Sequence, residues 1–240
     1  MTPCKSIDVN ADLGEGFPND DALLARVTSA SLSCGAHAGD PAAIRRTLAQ
    51  ARARGVIVGA HPGYPDREGF GRREMNMDAR EIERLIRDQV ADLRRLADAE
   101  GVAIRFLKPH GALYNQAQRR EATARGVVSA AVALGLPLLG QPGTWLESLA
   151  KAEGAAFVAE GFPDRRYLPD GSLTPRSEPG AVIHDPDELA ANVRSLLNAG
   201  LVRTLCLHGD HPDAVAHADR LRTILDGLGV AVRPFAGVSS

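Results

Sequence analysis

Val56-Ile-Val-Gly-Ala-His-Pro-Gly63 is an apolar run of strand length that stops on a histidine and then turns. Three more stretches follow the same plan: Ser31-Leu-Ser-Cys-Gly-Ala-His37, Arg105-Phe-Leu-Lys-Pro-His-Gly111 and Thr204-Leu-Cys-Leu-His-Gly-Asp210. Four of the seven histidines therefore share one setting. In an α/β barrel, side chains at the carboxyl ends of several strands converge on one bowl, where the chemistry is done. The recurrence predicts a barrel enzyme.

The rest of the chain alternates in the same way. Strand-like runs are read at 6–10, 29–34, 56–60, 104–108, 136–139, 155–160, 203–208 and 230–235. Amphipathic stretches lie at 41–54, 78–100, 123–134, 144–153, 187–199 and 213–227. The clearest carries Ile82, Leu85, Ile86, Val90, Leu93, Leu96 and Ala97 at helical spacing. Asp40-Pro41 and Asp185-Pro186 each join a capping carboxylate to proline's preset φ, which predicts helix starts there. Regular alternation calls for a parallel sheet flanked by helices. Seven or eight units in 240 residues point to one closed or nearly closed barrel domain spanning 1–240. An open doubly wound sheet is the alternative.

Composition excludes several classes. No stretch approaches the roughly 20 apolar residues that cross a bilayer, and the N-terminus lacks an apolar signal core. A soluble, cytoplasmic protein is the expectation. A net charge of −2 provides no field for nucleic acid or anionic lipid. The three cysteines, Cys4, Cys34 and Cys206, have no metal spacing. Cys34 and Cys206 sit in apolar runs and read as small buried hydrophobes, with a nucleophilic Cys34 beside His37 as the alternative. Only Lys5, Lys108 and Lys151 are lysines among 28 basic residues. Lys5 and Lys151 read as surface residues. Lys108 ends a strand, where a compact ammonium rather than a guanidinium is called for.

Each strand end contributes polar groups. The first gives Asp8, Asn10, Asp12 and Glu15; alternation on a strand lets Asp8 and Asn10 both face the barrel interior. Carboxylates there are costly unless paired or functional. Further ends give His37 and Asp40, His61 and Asp66, Lys108 and His110, Glu160 and Asp164, and His208 and Asp210. This set offers general acids, general bases and electrophilic stabilisers, or metal ligands. No local histidine pair fixes a metal, and no P-loop or Gly-x-Ser-x-Gly elbow is present. Two connections, 61–76 and 161–181, are too long for plain βα loops and are expected to cover the site.

Six blocks in order carry a family resemblance: Asn10-Ala-Asp-Leu-Gly-Glu-Gly-Phe17, Cys34-Gly-Ala-His-Ala-Gly-Asp-Pro41, the run from Gly59-Ala-His-Pro-Gly63 to Glu74, Lys108-Pro-His-Gly-Ala-Leu-Tyr-Asn115, Glu160-Gly-Phe-Pro-Asp-Arg-Arg-Tyr167 and His208-Gly-Asp210. Together they resemble the LamB/YcsF family, whose bacterial members include the A subunit of the ATP-dependent 5-oxoprolinase. Departures at Pro18, Ser31 and Ala36 touch the shape of the site rather than its titratable set.

The resemblance implies a distorted (β/α)7-type barrel of the glycoside hydrolase/deacetylase kind. It implies ATP-dependent cleavage of 5-oxoproline to glutamate with subunits B and C, ATP bringing Mg²⁺ as co-substrate. Self-association into a homo-oligomer is a further expectation. The expected catalytic residues are Asp12, His61, Lys108, His110, Glu160 and His208. The expected binding residues are Asp8, Asn10, Glu15, His37, Arg72, Tyr114, Asn115, Arg165 and Asp210. Lys108 with Arg72 or Arg165 would hold phosphate or carboxylate. His61 and His110 would manage protons. Asp8, Asp12 and Glu15 would orient these groups or hold Mg²⁺. The alternatives are a metal-dependent, deacetylase-like hydrolase working without ATP, and a non-catalytic binding subunit.

Overall fold

The computed structural model describes residues 6–175, 178–210 and 213–235. Cys4, Lys5 and part of the 161–181 connection lie outside the described residues.

Eight strands form: β1 (Ser6–Leu13), β2 (Ser29–Ser33), β3 (Ile57–His61), β4 (Ile104–Leu107), β5 (Leu138–Gly140), β6 (Phe157–Gly161), β7 (Thr204–His208) and β8 (Ala231–Val232). Between them lie α1 (Asp20–Leu24), α2 (Pro41–Arg54), α3 (Ala79–Ala99), α4 (Gly111–Arg119), α5 (Glu121–Leu134), α6 (Trp145–Ala152), α7 (Pro186–Ala199) and α8 (Ala214–Gly227). Every strand pairing among the described residues is parallel, and the order β2-β3-β4-β5-β6-β7-β1 closes through β1–β2. The result is a closed seven-stranded barrel. The eighth run, expected at 230–235, shortens to β8 and pairs only with the start of β1, outside the ring.

Sequence chemistry accounts for the main elements. Asp40 accepts from Ala42 and Ala43 backbone N–H groups ahead of Pro41, and Asp185 caps α7 ahead of Pro186, as the sequence predicts. Asp78 and Glu81 form a capping box on α3. The buried face of α3 (Ile82, Ile86, Val90, Leu93, Ala97) joins the main core between helices and barrel. α1 and α4 were not anticipated. β1 runs three residues further than expected, which makes Asp12 a strand residue rather than a loop residue.

Strand alternation separates two environments along β1. Val9, Ala11 and Leu13 face the helix layer and join its core, leaving Asp8, Asn10 and Asp12 for the interior. Phe106, Leu139, Val158 and Phe235 form a separate apolar cluster. A third, smaller cluster holds Tyr114, Phe162 and Cys206. Between these apolar groups lie buried polar residues instead of the usual branched aliphatic layer.

Candidate active site

Lys108, the first residue after β4, is 2% exposed and lies inside the ring. Its Nζ sits 2.8 Å from Glu160 Oε1, 2.9 Å from Asp12 Oδ1, 3.2 Å from Asn10 Oδ1 and 2.9 Å from Cys206 Sγ. Burial opposes its charge, but Asp12, Cys206 and Glu160 outweigh burial and hold the ammonium well above its usual range. Asn10 fixes the arrangement by donating to Glu160 at 2.9 Å and to Thr204 at 2.8 Å. Burial also opposes the Asp12 charge, yet His61 and Lys108 hold that carboxyl well below its usual range.

Three imidazoles adjoin this layer. His61 ends β3, with Nδ1 2.8 Å from the Lys108 carbonyl and Nε2 3.4 Å from Asp12 Oδ2. His110, at the start of α4, places Nδ1 3.0 Å from His61 Nε2 and Nε2 2.8 Å from the Phe70 carbonyl. His37 stacks on His110 with ring centroids 3.8 Å apart, and its Nε2 lies 3.3 Å from Glu15. Burial pushes His37 down to about 3, and burial with the neighbouring His61 and His37 lowers His110 as well. Burial, reinforced by Asp12 and Asp210, raises Glu15 well above its usual range.

The long connection after β3 supports these rings. Phe70 is a non-glycine residue in the left-handed region, at φ 55°. Such a conformation costs on the order of 1–3 kcal/mol and persists only where the surroundings impose it. Here it delivers the carbonyl that His110 uses and sets the Phe70 ring edge-on to His37 and His110. Gly71 follows at φ 65°, and a Cβ there would lie 2.9 Å from both His37 and His110.

A cavity of about 340 Å³ opens above. Asp12, His61, Lys108, His110 and His208 wall it on the barrel side, and Arg72, Tyr114, Asn115, Phe162 and Arg165 on the other. This is near the lower end of small-molecule sites, about 300–1,000 Å³. Arg72 pairs with Asp210 and stacks on Phe70. Nδ1 of His208 meets Asp164 at 3.2 Å, and its ring stacks on Phe162. Arg165 donates to the carbonyls of Ala181 and Thr174, so it also ties down the connection after β6. Leu173, Thr174 and Pro175 from that connection complete the wall.

The residues expected at the site lie around this cavity or beneath it, but six do not wall it as expected; one of them, Asp210, instead pairs with Arg72. Asp8 sits deeper, with its oxygens taken by Thr28, Ser29 and Thr204 hydroxyls, so a substrate contact there is corrected to a structural one. Asn10 and Glu160 carry Lys108 from below. Glu15 and His37 stand behind His110. These positions follow from side-chain reach across the ring, which spacing along the chain does not reveal. Sequence reading missed Phe70 and Phe162, and it treated Cys206 as a hydrophobe although its sulfur contacts Lys108. Phe162 directly follows the strand-end pair Glu160-Gly161, which was the available signal for it; Phe70, nine residues past His61, carried none.

Two groups of donors come close enough for a metal ion among the described residues: Asp12, Cys206 and His208, and Glu15, His37 and His110. Neither fits one. In the first, the Lys108 ammonium already occupies the space between Asp12 and Cys206. In the second, His37 and His110 are parallel to within 3°, so their in-plane lone pairs cannot meet at a common ion.

The closed ring and its polar floor define the class first, a deacetylase-like (β/α)7 barrel. The catalytic domain of a peptidoglycan N-acetylglucosamine deacetylase from Eubacterium rectale shares this fold at TM-score 0.56 and 13% identity, over 100% of this chain and 92% of that one. The chain belongs to the LamB/YcsF family, which it matches over residues 7–240. A protein of Pseudomonas syringae pv. tomato, named as a 5-oxoprolinase A subunit, is 43% identical, over 98% of this chain and 100% of its own length. The crystal structure of a lactam utilization protein from Thermus thermophilus superposes at TM-score 0.87 with 40% identity, over 96% of this chain and 100% of that one.

Proposed function

We propose that the protein is the A subunit of an ATP-dependent 5-oxoprolinase built from several chains, opening the lactam of 5-oxoproline to give glutamate in concert with subunits B and C. The observation that carries this reading is the small cavity floored by a buried ammonium and walled by two linked imidazoles. It suits an amino-acid-sized, charged substrate. The near full-length likeness to a protein named for this activity supports it.

A lactam is stabilised by resonance, which is why coupling to ATP is useful. Transfer of the γ-phosphoryl group to the carbonyl oxygen, with ADP leaving, makes the ring carbon electrophilic. Water then adds, the ring C–N bond breaks, and a second water cleaves the resulting acyl phosphate. Lys108 and Arg72 face the cavity as cations for the phosphoryl and carboxylate oxygens. His61 and His110 handle the protons of the attacking water and departing nitrogen. Among the described residues no phosphate-cradling loop lies in the cavity wall, so we assign the phosphorylation step, with ATP and Mg²⁺, to the assembly with B and C rather than to this chain alone.

The test is reconstitution. The three purified subunits together should release glutamate, ADP and phosphate from 5-oxoproline and ATP. Equal turnover by B and C without this chain would overturn the reading, as would ATP-independent turnover by this chain alone.

A further inference from the structure

His61 and His110 meet edge to face, with Nε2 and Nδ1 3.0 Å apart. The far nitrogen of each ring faces a backbone carbonyl at 2.8 Å, Lys108 for His61 and Phe70 for His110. A carbonyl oxygen only accepts, so each far nitrogen carries the hydrogen. In two neutral rings the facing nitrogens would then both be bare lone pairs, pressed together at hydrogen-bond distance. One additional proton turns this repulsive contact into a charge-assisted hydrogen bond.

We propose that His61 and His110 hold one proton in common at neutral pH, forming a bis-imidazole cation in the cavity wall that serves as the acid for the departing ring nitrogen. This rests on the ring-opening function proposed above and specifies its proton source.

Asp12 provides the counter-charge, and the carboxyl of Glu15, raised by burial, lies beside it. From β1 and the turn after it, Asp12 Oδ2 lies 3.4 Å from His61 Nε2, and Glu15 Oε1 lies 3.4 Å from His110 Nδ1 and 3.9 Å from His61 Nε2. After β2, His37 stacks on His110 and contacts Glu15. Lys108 on the β4 side holds the other oxygen of Asp12. Arg72, from the long connection, and His208 face the same cavity, and Asp210 neutralises Arg72. With Glu15 neutral, the Lys108 ammonium and the shared proton balance Asp12 and Glu160. The Asp12 carboxylate approaches the contact from the His61 nitrogen, so the proton rests on the His61 side.

Both rings wall the cavity, so the proton is at the substrate surface. When the ring C–N bond breaks, its electron pair stays on nitrogen, which takes the shared proton. The proton lost by the attacking water refills the pair.

Histidine-selective ¹⁵N labelling of the full chain tests this without substrate or partner subunits. The expected spectrum at pH 7 has one far-downfield, exchange-protected proton correlated with His61 Nε2, and a His110 Nδ1 shift typical of a nitrogen accepting a hydrogen bond. His110→Phe should abolish that resonance. Bare-nitrogen shifts at both positions from pH 6 to 8 would overturn the proposal. So would a stoichiometric divalent ion in the purified protein whose chelation moves those two shifts. Since no turnover is read, an intact proton signal beside failed reconstitution would defeat the proposed function and leave the shared proton standing.

Discussion

The Lys108 ammonium and the Glu160 carboxylate meet 2.8 Å apart beneath the cavity, both sealed from solvent. Each charge depends on its partners in that position, Glu160 on Lys108, and Lys108 on Glu160 and Asp12. Removing one partner of a buried pair costs about 3–5 kcal/mol, because the remaining charge is stranded. Lys108→Ala should therefore lose that much in denaturant unfolding as well as abolishing reconstituted ring opening. Lys108→Met combined with Glu160→Gln should recover the part of the stability lost to a stranded Glu160, though not the part that Lys108 gives Asp12, and none of the activity. Recovery of turnover in the double variant would show that the pair is structural only.

Gly71 tests the backing of the histidines. An added Cβ would press on His37 and His110 at 2.9 Å, at a backbone angle that side chains rarely adopt. Gly71→Ala should cost about 1–3 kcal/mol of stability. Displacing His110 by a fraction of an ångström should lower kcat by about 10²-fold. Wild-type kcat in a folded Gly71→Ala protein would remove His110 from the chemistry.

Asp8 makes stability depend on pH. Burial raises its carboxyl from the usual 3.8 to about 6, against the opposing hydroxyl contacts from Thr204, Thr28 and Ser29. The folded state thus binds the proton more tightly than the unfolded chain, and stability falls as pH rises from about 4 to about 6. The change amounts to about 3 kcal/mol at 1.36 kcal/mol per pH unit. Urea unfolding of wild type and Asp8→Asn should diverge across that window and run parallel from pH 7 to 8. Parallel behaviour throughout would mean that Asp8 titrates normally.

Cys34 is not expected to act as a nucleophile. Burial pushes its thiol up to about 12, which leaves almost no thiolate at neutral pH. Cys34→Ala should keep turnover within a few-fold of wild type, as read by glutamate release from the reconstituted enzyme. Complete loss in a folded variant would reinstate the cysteine.

Much of this architecture can be read along the chain, for local reasons. A strand-end histidine beside glycine or proline is a short-range pattern, and His37, His61, His110 and His208 reach one end of the ring because parallel strands share a direction. Asp40-Pro41 and Asp185-Pro186 announce helices by chemistry contained in two residues. The depth of each group is set across the ring and is not local. Asp8 and Asp12 look alike in sequence, yet one meets three hydroxyls and the other an ammonium and an imidazole. α4 was missed because it starts directly behind the His110 turn, with Gly111 at its first position and no side-chain cap to announce it. The left-handed Phe70 was equally hidden, since nothing in its neighbours demands that shape until His110 packs against it.

The strict alternation of β1 has a consequence for how the protein is assembled. A slip of one residue against β2 and β7 would exchange its two faces, sending Asp8, Asn10 and Asp12 into the aliphatic layer and Val9, Ala11 and Leu13 toward Lys108. Such a misthreaded ring would strand several charges simultaneously, so charge complementarity acts as a proofreading step on closure. The same residues that equip the mouth of the barrel thereby reject its nearest misfolded competitor.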